Sequence, residues 1–110
     1  MEAKSKVETF IGFTLRSGKC RLGVNAIKTL KKVELLLLCS TASENTVKDA
    51  VKLAKRFRTK LIVSKTTPIE ILTGKEHCKL MAVTDLSLAK AIIGALDENF
   101  TLMPTEESNG

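Results

Sequence analysis

Residues 35–39 read Leu-Leu-Leu-Leu-Cys, five apolar side chains in a row between Glu34 and Ser40. The run is too short for a helix of its own and lacks the apolar–polar alternation of a strand with one wet face. It predicts a strand buried on both sides, which needs other elements packed above and below it. Leucine is not a strong strand former, so burial must hold the segment extended.

The flanking sequence offers the covering elements. Val7, Phe10, Ile11, Thr14 and Leu15 recur at helical spacing, and Gly18 is placed to end that helix. Lys19–Leu22 reads as a short edge strand, and Gly23 opens a second helix running to about Lys32, with Val24, Ile27 and Leu30 facing inward. Ser43 is the expected N-cap of a third helix, marked by Val47, Ala50, Val51, Ala54 and Phe57. Lys60–Ser64 is a second buried strand. Thr67, Pro68 and Glu70 read as N-cap, first helical residue and capping-box acid of a brief helix stopped by Gly74. Lys79–Val83 is the last expected strand. Thr84 or Asp85 then caps a helix that turns Leu86, Ala89, Ile92, Ile93 and Leu96 inward. This order predicts an α/β sandwich. Residues 1–98 are expected to form a single domain, and residues 99–110 a flexible acidic tail without periodicity.

Charge is unevenly spread. The formal net charge is +6 over 110 residues, yet the segment 97–110 carries Asp97, Glu98, Glu106 and Glu107 and no Lys or Arg. Residues 1–96 therefore hold 18 basic side chains against 8 acidic ones. Such a body attracts polyanions through its long-range field, nucleic acid first among them. No signal peptide is read at the N-terminus, and no apolar run is long enough to span a bilayer. Three cysteines without a CxxC pair point to a reducing, cytoplasmic setting. Cys39 is expected to be buried and Cys78, beside a loop, to be more accessible. Trp and Tyr are absent and Phe numbers only four, so base stacking cannot carry recognition.

The basic residues concentrate between Arg16 and Lys32, which holds six of them and no acid. Within it a glycine-opened helix start, Gly23-Val24-Asn25, presents unpaired backbone N–H groups and an amide side chain among cations. That combination suits phosphates and base edges, whereas charge alone would equally describe a solvated face. Catalytic alternatives are weak. His77 and Cys78 are adjacent and point to opposite faces of an extended chain, and no cysteine has metal-ligand spacing to them. Gly18 and Gly23 lack the spacing and Lys-Ser/Thr ending of a phosphate-binding loop. No catalytic residue, metal or cofactor is expected.

Four segments together carry a family resemblance. Arg16-Ser17-Gly18-Lys19 with Gly23-Val24-Asn25 is similar to an "R-x-G-K … G-x-N" pattern, and Cys39–Thr46 to "A-E-D-A-S-x-N-T". Gly74-Lys75-Glu76 leads into a strand, and Ala82-Val83-Thr84-Asp85 resembles "A-V/I-T-D". The chain thus resembles the kink-turn-binding ribosomal-protein superfamily (the L-seven-Ae and L-thirty-e group), its small bacterial members above all. The resemblance implies a three-layer α/β/α sandwich with a four-stranded mixed sheet. It implies a non-enzymatic partner of structured RNA, without DNA specificity or membrane contact, with ribosome association among the expectations. It places RNA at the helix start and at the loop before the last strand. The expected RNA-binding residues are Lys19, Arg21, Gly23, Val24, Asn25, Lys28, Thr29, Lys31, Lys32, Gly74, Lys75, Glu76 and His77. Ala26 stands where the family's kink-turn readers carry Glu or Gln, Ser40 and Thr41 replace two acids, and Glu70 replaces a glycine. The alternative reading is a protein-interaction module that docks an acidic partner on the same basic face.

Overall fold

In a computed structural model, residues 6–65 and 67–103 are described. Ten elements follow in chain order: α1 (Lys6–Arg16), β1 (Cys20–Leu22), α2 (Val24–Lys28), β2 (Leu35–Cys39), α3 (Glu44–Phe57), β3 (Leu61–Ser64), α4 (Ile69–Thr73), β4 (Leu80–Val83), α5 (Leu86–Gly94) and β5 (Phe100–Met103). The fold is mixed α/β, with a five-stranded sheet in the order β1-β4-β2-β3-β5. Only β2 and β3 run parallel; β1 and β2 both pair antiparallel with β4, and β5 pairs antiparallel with β3.

The apolar run has the predicted role. All five residues of β2 are buried. Leu35, Leu37 and Cys39 join one core with Val7 and Ile11 of α1, Ile69 of α4, and Ala89 and Ile92 of α5. Leu36 and Leu38 join a second core with Ile27 of α2 and with Ala50, Leu53 and Ala54 of α3. Alternate side chains of one strand thus feed two separate cores.

Two caps fall where expected. The Ser43 hydroxyl accepts the Thr46 N–H at 3.2 Å, and the Asp85 carboxylate accepts the Leu88 N–H at 2.9 Å.

Five expectations are corrected. Leu86, expected to face inward, is 52% exposed at the start of α5, directly after the Asp85 cap. The sheet has five strands, not four, because residues 100–103 leave the expected tail and pair with β3. Phe100 is 1% exposed, and the turn feeding it is built by the Asp97 carboxylate, which accepts the Asn99 N–H at 2.8 Å and the Phe100 N–H at 3.2 Å. Residues 104–110, the remainder of that tail, lie outside the described residues. The second helix stops at Lys28 rather than near Lys32, since the Thr29 hydroxyl donates to the Ala26 carbonyl at 2.7 Å and closes the last turn. Pro68, not Thr67, is the N-cap of α4, and no side chain caps it. The Thr67 hydroxyl instead donates to the Glu8 carboxylate at 3.2 Å. Finally, Cys78 is buried like Cys39, and Cys20 is the partly exposed thiol.

Candidate nucleic-acid interface

The edge strand β1 delivers the chain into Gly23, whose φ of 92° and ψ of 146° lie in a region that L-residues rarely adopt. The glycine N–H donates to the Leu80 carbonyl at 2.9 Å, pinning the turn to the start of β4. The Gly23 carbonyl accepts the Ile27 N–H at 3.0 Å and opens α2. Asn25 is exposed in the first turn, while Ile27 is fully buried beneath it.

The loop between α4 and β4 arrives at the same place from the other end of the chain. Gly74, at φ 73°, ends α4. His77 takes φ 63°, a left-handed backbone for a residue with a side chain. The Glu70 carboxylate accepts the His77 N–H at 3.0 Å with one oxygen and the Lys79 ammonium at 3.0 Å with the other. Lys79 also donates to the Thr41 hydroxyl at 2.9 Å, and that oxygen lies 3.0 Å from the Cys39 sulfur. The Lys79 hydrogen bond holds Glu70 below the usual carboxylate range; partial desolvation opposes it and the His77 N–H assists. At Cys39 burial pushes the thiol up, but hydrogen bonds from Thr41 and Ile69 and the charge of Lys79 outweigh it and hold the thiol low. Cys20 is shifted upward, chiefly by burial, against the opposing charge of Arg21.

Between these two walls lies an open cleft of about 470 Å³, lined by Leu22, Gly23, Val24, Asn25, Ala26, Thr46, Lys75, His77 and Lys79. Five of the expected site residues meet there: Gly23, Val24, Asn25, Lys75 and His77. The others do not line it. Lys19 precedes β1 and Arg21 is on it, and Gly74 and Glu76 belong to the loop that carries Lys75 and His77; all four are exposed. Lys28, Lys31 and Lys32 are exposed at and beyond the far end of α2, and the Thr29 hydroxyl is spent on the helix end. Lys32 is paired with Glu34 at 3.3 Å.

Sequence reasoning missed Leu22, Ala26, Thr46 and Lys79 as lining residues. Thr46 closes the Cys39–Thr46 segment and follows the Ser43 cap, so its place beside the cleft depends on where α3 begins. Lys79 is a charged residue at the head of an apolar strand, a position that Glu34 and Lys60 share, so nothing in the sequence singles it out. Chemically, the cleft offers an amide, two ammonium groups, an imidazole and a hydroxyl. That set can bind an anion with polar edges. Among the described residues no group of three or more His, Cys, Asp or Glu side chains could hold a metal ion. No described helix is long and apolar enough to cross a membrane.

No protein-family model matches the chain, and no curated protein matches it. Among solved structures, the chain is similar to a protein of unknown function from Bacillus halodurans, with a TM-score of 0.71. The two are 20% identical over 86% of this chain and 100% of that one, a likeness of fold alone.

Proposed function

We propose that this chain is a non-enzymatic RNA-binding protein that grips folded, kink-turn-like RNA at the cleft between residues 22–26 and 75–79. In this reading it belongs to the kink-turn-binding ribosomal-protein superfamily, adopts that superfamily's three-layer α/β/α sandwich, and works in the cytoplasm, on the ribosome or on another structured RNA. The two cores on alternate residues of β2 support the layering. The observation that carries the function is convergence. The Gly23–Asn25 turn and the Lys75–His77 loop, about fifty residues apart in sequence, line one cleft.

Contacts to phosphate position a protein, whereas contacts to base edges choose a sequence. Lys75 and Lys79 supply the first kind, with Lys79 tied to Glu70 and Lys75 exposed. Asn25 is uncharged and exposed beside them, and its amide can both donate to and accept from a base edge.

The test is a titration of Asn25→Ala against two RNA hairpins, one kinked by tandem sheared G·A pairs and one a plain duplex. The variant should lose about 1–3 kcal/mol on the kinked hairpin only, with an unchanged salt slope. Equal losses on both hairpins, or none on either, would overturn base reading. Tight binding of an acidic protein in place of RNA would favour the interaction-module alternative.

A further inference from the structure

The cleft is the starting point of two helices. Gly23 and Val24–Ala26 line it from the beginning of α2, and Thr46 lines it from the first turn of α3. At their other ends the helices are tied together. The Arg56 guanidinium donates to the Lys28 carbonyl at 3.1 Å and to the Leu30 carbonyl at 3.3 Å, and it lies 4.8 Å from the centre of the Phe57 ring. Thus α2 and α3 leave the cleft side by side, and the ground they cover is basic.

Helix α3 buries Ala50, Leu53 and Ala54 and exposes Lys48 and Lys52, one turn apart. Arg58 follows at the C-cap and Lys31 stands beyond the end of α2, both exposed. The acids on α3 are Glu44, in the first turn, and the half-buried Asp49. Glu34 is already paired with Lys32. With 14 residues, α3 is about 21 Å long.

We propose that the exposed face of α3, with Lys31, is a second contact surface for duplex RNA, so that an RNA held in the cleft is also held by its phosphate backbone along this helix. The nature of the polyanion rests on the reading of the cleft. The surface itself rests on the exposed cations and on the direction in which the two helices leave the cleft. Its exposed amide, Asn45, stands in the first turn, and the outward positions beyond it, Lys48 and Lys52, are cations, so past that turn the helix follows the backbone without choosing a sequence.

The experiment compares wild type, Lys48→Gln/Lys52→Gln and Asn25→Ala on kinked hairpins whose flanking stem is either shorter or longer than α3. Both lysines are solvent-exposed, and equal melting temperatures establish that the double variant is folded. On the long stem the double variant should bind several-fold more weakly, with a slope of log K against log salt shallower by about 1.8. On the short stem it should match wild type. Unchanged binding on the long stem, or equal loss on both stems, overturns the second surface. If polyglutamate binds wild type more tightly than the long-stem hairpin does at matched ionic strength, and the double variant loses that preference, the face belongs to an acidic polypeptide and the RNA assignment fails. If Asn25→Ala matches wild type on every hairpin while the double variant is impaired, the cleft reading fails and the helix surface stands.

Discussion

On one wall of the cleft, residues 23–26 are set by the backbone. Gly23 adopts φ 92°, its N–H reaches the Leu80 carbonyl at 2.9 Å, and no side chain caps the helix. On the other wall, residues 75–79 are set by side chains. Glu70 holds the His77 N–H and the Lys79 ammonium, each at 3.0 Å, and Lys79 reaches back to Thr41 at 2.9 Å. The first wall depends on conformation, which neither salt nor pH alters. The second depends on charge, which both alter. A cleft built this way has one fixed jaw and one that solution conditions can loosen.

The largest expected effect is a control that should leave this contrast intact. Phe100 is 1% exposed on β5, at the opposite edge of the sheet from β1. Phe100→Ala should cost about 3–5 kcal/mol in denaturant unfolding. Both walls should weaken together, since Phe100 sits in the first core and its loss lowers the stability of the one sheet that carries both walls. Next comes the fixed jaw. A Cβ at Gly23 would meet nothing within 4 Å, so Gly23→Ala tests backbone conformation alone. It should lose about 1–3 kcal/mol, by the same amount at low and high salt. A cost below a few tenths of a kilocalorie would show that the turn is not strained.

The loosening jaw is tested by acid. Because Glu70 titrates below its ordinary 4.5 in the folded protein, its contribution is present above that value and is lost as pH falls through the lowered one. Amide exchange at His77, corrected for the intrinsic pH dependence, should therefore lose protection below pH 4.5 while Ile27 keeps its own. Glu70→Gln should reproduce that loss at neutral pH. Equal behaviour of the two amides would break the comparison. The smallest effect is expected at His77 itself. With φ at 63°, His77→Gly removes the left-handed penalty but loosens the unfolded chain, a net gain of about 0–1 kcal/mol in stability.

The same contrast governs what could be read in advance. The fixed jaw is local. A glycine followed by a periodic apolar pattern predicts the turn and the start of α2, as Leu35–Cys39 predicts β2 to the residue. The side-chain jaw is not local. Glu70 has the spacing of a capping-box acid, and only folding reveals that Lys79 and the His77 N–H share its carboxylate, one on each oxygen. Strand β5 was hidden for a related reason. Phe100–Met103 is four residues long, sits among acids and turn formers, and becomes a strand because β3 offers it an edge. Burial of Cys78 was hidden too, since a residue beside a loop carries no sequence mark of which core it will enter.

The pairing of β1 with β4 joins Cys20 to Val83, and that register governs when the cleft can exist. A ribosome adding about 5–20 residues per second releases the basic segment around Gly23 roughly 3–12 s before its partner strand has been made. Through that interval the cations of residues 16–32 hang on the nascent chain, beside the RNA of the machine making them, with no cleft to give them selectivity. Closing so long a loop is slow in its own right. Whatever selectivity the cleft confers is therefore acquired late, after the basic segment's general attraction for polyanions is already present.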